Sequence, residues 1–342
     1  MPPSLERRSS PRPAVGRNVR TTWCLGWFLG VAITSLACFQ QSRAQGTTEI
    51  HRTLVVPATE ILIFDVEIAS GDLQILYGRD GQVSISGYAK ASAEAKVDDT
   101  FFPSVLTIDQ QGNHLNVRQT PSPAYPQKAV SIFYRIEVPY RTQVTSKVGQ
   151  GKQNIIGILG PVKAATLHGN ITASYVSKNV HAQVDDGNLD LQEIGEHVEA
   201  TTGSGNITCA RVSQGVSAET IAGDIYLAVV GPSQASVKTG TGRLEVRAAR
   251  GTFVGSTQAG DLHITAIPHD AWRLSSASGN ISVELPPTAK FELDAVVGSG
   301  KVVVDREDIA KPNAEVRHIH DQVNGGGKLI EAHSDAGTIV IR

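Results

Sequence analysis

From about Val144 onward, apolar and polar residues alternate in short runs, and the parity of the alternation flips at regularly spaced glycines. The glycines are Gly169, Gly187, Gly205, Gly223, Gly242, Gly260 and Gly279, separated by 18, 18, 18, 19, 18 and 19 residues. Counting from each glycine, position −7 holds Val162, Val180, Val198, Val216, Ala235, Phe253 and Trp272. Positions −5 and −3 are mostly Ala and Thr, as in Ala200 and Thr202. After the glycine, +2 is always Ile or Leu, and +4 is Ala173, Leu191, Cys209, Leu227, Val246, Ile264 and Val283. Period-two alternation marks half-buried strands, so each repeat predicts two strands meeting at a glycine. A strand changes its buried face only through a bend, and glycine accepts the backbone angles of one. The next residue, usually Asn or Asp, points outward and is expected to hydrogen-bond local backbone. Ser213-Gln214-Gly215, Gly231-Pro232-Ser233 and Gly251 mark the second corner. A period of about 20 residues built from strands is the mark of a solenoid. The expected fold is all-β: a parallel β-helix of about 18-residue, two-strand coils.

The preceding stretch, residues 45–143, reads as a less regular β-rich region. Phe64 to Ile68 alternates, Gly71 repeats the glycine phrase once, and Ala129 to Val138 forms a long strand ending at Pro139. Ala91 to Asp99 reads as a loop. Within the repeat domain, residues 144–342, two further coils centre on Gly300 and Gly337. Residues 305–327, charged and containing Pro and Gly, read as a surface loop between them.

Residues 1–44 form a three-part leader: a basic start, an uncharged apolar run from Trp23 to Phe39, and small residues at Ser42 and Ala44. That layout predicts a cleaved secretory signal peptide and an exported chain, periplasmic or at the cell surface, without membrane insertion after cleavage. Lipid attachment at Cys38 is a minor alternative. The leader holds six of the 31 basic and one of the 33 acidic residues; 25 against 32 remain, a net charge of −7. That balance opposes nucleic acid as a partner. Only Cys209 remains of the three cysteines, so no intrachain disulfide forms. Charged residues at 19 %, aromatics at 5 % and 33 glycines fit a repeat protein.

Several phrases together resemble the bacterial putative-adhesin family with β-strand repeats, related to head-GIN-type β-helix domains. They are Ser70-Gly71-Asp72-Leu73, Val138-Pro139, the repeated Thr-x-x-Gly-Asx-Ile coils, Val283-Glu284-Leu285-Pro286 and Gly337 to Ile341. The resemblance spans roughly residues 50–342 and implies architecture without an active site to carry over. Two departures stand out: the 305–327 insertion, and Gly149-Gln150-Gly151, where the first coil slips register.

Candidate chemistry is sparse. Cys209 falls in an inward column and reads as a small buried hydrophobe. His318 and His320 share a strand face, half of a metal site without a third ligand. Asp185-Asp186 is an acid pair before a corner, where adjacent acids diverge and read as a solvated turn. The outward Asx column lacks the nonapeptides of calcium β-rolls. These readings leave no catalytic, cofactor or metal residues to assign. The expected role is a non-enzymatic adhesin or envelope scaffold whose partner is a protein or glycan at the cell envelope. The alternative is a carbohydrate-binding or polysaccharide-active β-helix.

Overall fold

Strands of equal length and equal pattern stack most simply by placing each residue on its equivalent one repeat away. The structure, a computed structural model, describes residues 46–306 and 316–342, apart from 59, 93–96, 124 and 126–128. In every regular coil a leading strand ends at the glycine and a trailing strand follows it. Val198–Ser204 lies parallel between Val180–Asp186 and Val216–Ala222. Ile207–Val212 lies parallel between Leu189–Ile194 and Ile225–Val230. The register is residue on equivalent residue, so Ala164, Ala182, Ala200 and Ala218 form one column and Ile171, Leu189, Ile207 and Ile225 another. The parallel β-helix expected from the repeat is the fold.

The inward columns form one continuous core. Small alanines on the leading strands face the larger aliphatics of the trailing strands, which keeps the core thin and filled. Where Phe253 enters the −7 column, its −5 neighbour is Gly255. A Cβ there would stand 2.7 Å from the Phe253 ring.

Three interactions define the glycine corner. Gly205 has φ +147°, and a Cβ on it would sit 2.0 Å from the carbonyl oxygen of Gly187 in the preceding coil. Thr202, Thr220 and Thr239, buried at −3, donate from Oγ1 to Gly187, Gly205 and Gly223 oxygens at 3.0, 3.0 and 2.9 Å. The Asx side chains do not serve their own turn, as their position suggested. Asn170 Oδ1 accepts from the N–H of Asn188, Asn188 Oδ1 from Asn206, and Asn206 Oδ1 from Asp224, at 2.9, 2.8 and 2.8 Å. Each therefore joins one coil to the next.

The solenoid begins earlier than the clean period indicated. Leu62–Ser70 and Asp72–Tyr77, with Gly71 at the corner, pair in parallel with Thr142–Gln150 and Gln153–Ile156. The anticipated slip at Gly149-Gln150-Gly151 is absent. Gly151 occupies the corner, with Val144, Ser146 and Val148 in register on Val162, Ala164 and Thr166. The pattern misleads because the +2 place holds Gln153. Its amide accepts from Ser146 Oγ at 2.6 Å and donates to Ala165 O and Thr166 Oγ1 at 2.6 and 2.7 Å. A polar side chain is buried there because its hydrogen bonds are made.

Residues 78–141 close one end of the stack. His114–Gln119 and Val130–Val138 lie parallel beside the first coil. Antiparallel strands follow: Leu106–Gln111 on one side, Gln82–Ala91 and then Thr47–Val55 on the other. The short helix Phe101–Val105 covers the open end of the core. Phe101 and Phe102 are buried there, and Phe102 meets Tyr134 edge to face at 6.1 Å.

At the other end the chain departs from sequence order. Lys328–Ile341 lies between the coil Trp272–Glu284 and the strand Phe291–Val304, parallel to both. The glycine column therefore runs Gly279, Gly337, Gly300. His318–Val323, expected within a surface loop, forms a strand antiparallel to Phe291–Val296. Its alternation was hidden by the two histidines and Asp321 on a half-exposed edge. Arg306 is buried, donating to the carbonyls of Leu285 and Pro286 at 3.0 and 3.3 Å. Residues 307–315 and the leader lie outside the described residues.

Candidate functional site: two outward grooves

The residues singled out for chemistry are dispersed. Cys209 is fully buried, and burial, with a smaller contribution from Asp190, pushes its thiol up to about 12. Asp185 and Asp186 are both exposed at the end of a leading strand, and Asp186 lies 3.9 Å from His168 Nδ1. His318 and His320 pair separately with Asp294 and Glu292 at 2.9 and 3.3 Å. Among the described residues, no group of three or more His, Cys, Asp or Glu side chains is placed to hold a metal ion.

Two concave surfaces were not anticipated. The first crosses the leading-strand face next to the end cap, a hollow of about 900 Å³ beside another of about 370 Å³ that shares Glu67 and Lys147 with it. Asp65 bonds His114 at 2.6 Å and Glu67 pairs with Arg118 at 3.2 Å, so both carboxylates already have partners. Gly149 and Ala165 form a low floor between Lys147 and Asp185.

The second groove follows a corner that the repeat pattern did not reveal. At +6 of the regular coils, Tyr175, Glu193, Arg211 and Ala248 have φ between +54° and +57°. The left-handed residue turns the chain so that +7 (Val176, Ile194, Val212, Ala249) points inward again and is buried. Only the Gly151 coil marks this bend with a glycine, Gly157, at φ +76°; Tyr175, Glu193, Arg211 and Ala248 carry no such sign. For those four the one available signal was the buried-type residue at +7, out of step with +2 and +4. Between the +6 and +8 columns runs a trough of about 520 Å³, continued by another of about 340 Å³ sharing Glu193, Arg211 and Ser213. Tyr77 and Tyr140 stack at its aromatic end, ring centres 4.8 Å apart and planes 15° from parallel.

The pattern of coils, glycine corners and end strands has a counterpart in known families. The Toastrack DUF4097 family matches residues 64–342. The chain belongs to the Toastrack DUF4097 family. The Toastrack match starts inside Leu62–Ser70 and so includes the first coil together with the inserted end cap. No curated protein matches the chain. Among solved structures, it is similar to one from Parabacteroides distasonis described as a putative adhesin, at 10 % identity, 87 % and 98 % coverage of the two chains and a TM-score of 0.36. A second, from Bacteroides fragilis with the same description, shows 14 % identity, 86 % and 97 % coverage and a TM-score of 0.31. A third, described as a putative cell adhesion protein of Clostridium sporogenes, shows 12 % identity, 86 % and 99 % coverage and a TM-score of 0.26.

Proposed function

We propose that the chain is an exported, non-enzymatic interaction module of the cell envelope, acting as an adhesin or scaffold. The observation that carries this reading is the outward wall of the leading strands. Successive coils present equivalent positions in register, and polar side chains bridge them: His181 to Glu199 at 2.8 Å, Lys238 to Glu219 at 2.9 Å, Arg273 to Glu331 at 2.8 Å. Individually such exposed pairs stabilise little. Collectively they line a polar surface on which the coil register repeats equivalent positions from one coil to the next.

Export rests on the leader at residues 1–44, and the net charge of −7 disfavours nucleic acid. Among the described residues no helix is long and apolar enough to cross a membrane. The test has two parts. Mass spectrometry of the chain recovered outside the cytoplasm should find it beginning at Gln45; recovery only in the cytoplasm with residues 1–44 attached would end the export reading. Surfaces coated with the exported chain should retain cells of the producing bacterium above an albumin-coated control. Equal retention on both would remove the adhesin role.

A further inference from the structure

The corner trough differs in chemistry from the polar wall, and we propose that it binds a linear glycan, a reading that rests on the interaction role above. Its residues are fixed by the coil register. Tyr77, Gly157, Tyr175, Glu193 and Arg211 follow one another at +6, Leu159, Ser177, Gly195 and Ser213 flank them at +8, and Tyr140 of the end cap lies beside Leu159, whose N–H donates to its carbonyl oxygen at 2.9 Å. Five stacked coils at about 4.8 Å each give a trough about 19 Å long, the span of several sugar rings in a row.

Two features set the aromatic end apart from incidental surface tyrosines. Gly157 has φ +76°, and a Cβ on it would sit 2.4 Å from Tyr77 Cδ1, so the missing side chain lets the Tyr77 ring lie down along the trough. Tyr140 stacks on that ring, and both stay about half exposed, at 50 % and 40 %. Tyr175 is 63 % exposed although its φ is +56°. A bulky residue in the left-handed region costs free energy, and burial of the ring does not offset it here. The conformation is the bend that Glu193, Arg211 and Ala248 share at +6, and in this coil it leaves an aromatic face outward beside the stacked pair.

The rest of the trough is polar. Glu193 and Arg211 form an ion pair across adjacent coils, and Ser177 and Ser213 offer hydroxyls beside it. Arg250 lies further along and has no ion-pair partner among the described residues. A pyranose fits this sequence of groups. The C–H bonds on one face of the ring carry partial positive charge and seat on the negative face of a tyrosine. Its hydroxyls bond at the same time to carboxylate, guanidinium and serine. A protein partner would be expected to insert anchors into closed apolar pockets, whereas these rings lie flat in an open channel. Bases would also stack, but the net charge opposes their phosphates.

The full exported chain should be probed on a glycan array, then titrated calorimetrically with cellohexaose, chitohexaose and an oligogalacturonate hexamer, with a proline-rich decapeptide alongside. The proposal expects at least one hexasaccharide to bind. Tyr140→Ala and Tyr175→Gly should each weaken it about tenfold, the glycine variant keeping the left-handed backbone. Both variants should unfold thermally within a few degrees of the parent. If the uronate is the better ligand, Arg250→Ala should weaken its binding. Absence of hexasaccharide binding, binding indifferent to both tyrosines, or preference for the decapeptide would each overturn the proposal. Cell retention that survives in the two tyrosine variants would overturn the glycan trough while leaving the adhesin role standing; loss of retention by the parent chain itself would remove the role.

Discussion

The glycine corner concentrates more structural demand than any other position in the coil. At Gly205 a side chain would face both an unfavourable backbone angle and a carbonyl oxygen 2.0 Å away. Gly205→Ala should therefore lower the unfolding free energy by about 3 kcal/mol or more, read from urea melts; an unchanged midpoint would refute the corner. Thr220→Val keeps shape but leaves the Gly205 carbonyl without its donor, and should cost about 1 kcal/mol in the same assay. Cys209 supplies a pH test. Its folded thiol is held near 12, above an unfolded value of about 8.5. Unfolding then releases a proton in alkali, so the stability associated with the neutral thiol is full below about 8.5 and declines as pH rises toward 12. Cys209→Ala should flatten that alkaline decline; an identical slope would count against it. Sequence alone reached the inward columns, the glycine and the burial of Cys209, because burial and positive φ select residue types. It did not reach the partner of the Asx oxygen, since Asn and Asp serve local turns and neighbouring coils equally well. The chain of Asx bonds is broken as acceptor where Lys152 and Arg243 occupy the +1 place, although the Arg243 N–H still donates to Asp224.

At the scale of elements, regular coils were legible and their closures were not. A coil is specified eight or nine residues at a time, whereas the end cap assembles strands separated by tens of residues. Leu62–Tyr77 was visible as one isolated phrase, yet its neighbour in the stack is Thr142–Ile156. The +6 bend escaped because Tyr175, Glu193 and Arg211 are not residues that advertise left-handed backbone, so both candidate grooves had to come from the folded chain. The cap itself is open to test. Phe102 is buried among Phe101 and Tyr134, and Phe102→Ala should cost about 3–5 kcal/mol in a denaturant melt. Light scattering should also rise in the variant, because a loosened cap uncovers the ends of the two stacked faces. A variant as stable and as soluble as the parent would show that the helix only decorates the end.

Across the whole molecule, stability is close to a sum over neighbouring coils, each contacting the one before and the one after. One place breaks that linear order: Lys328–Ile341, set between Trp272–Glu284 and Phe291–Val304. Until that strand is in place, the pair of strands whose Trp272, Leu274, Ile281 and Val283 point inward has no parallel neighbour on one side. For a chain made from its N-terminus, this makes time part of the architecture. Coils can settle one after another as they emerge, but the stack stays open at one edge until Lys328 has come through and slid into a slot between strands made before it. The seal is the last event of folding, and a chain halted before it would keep one sheet edge receptive.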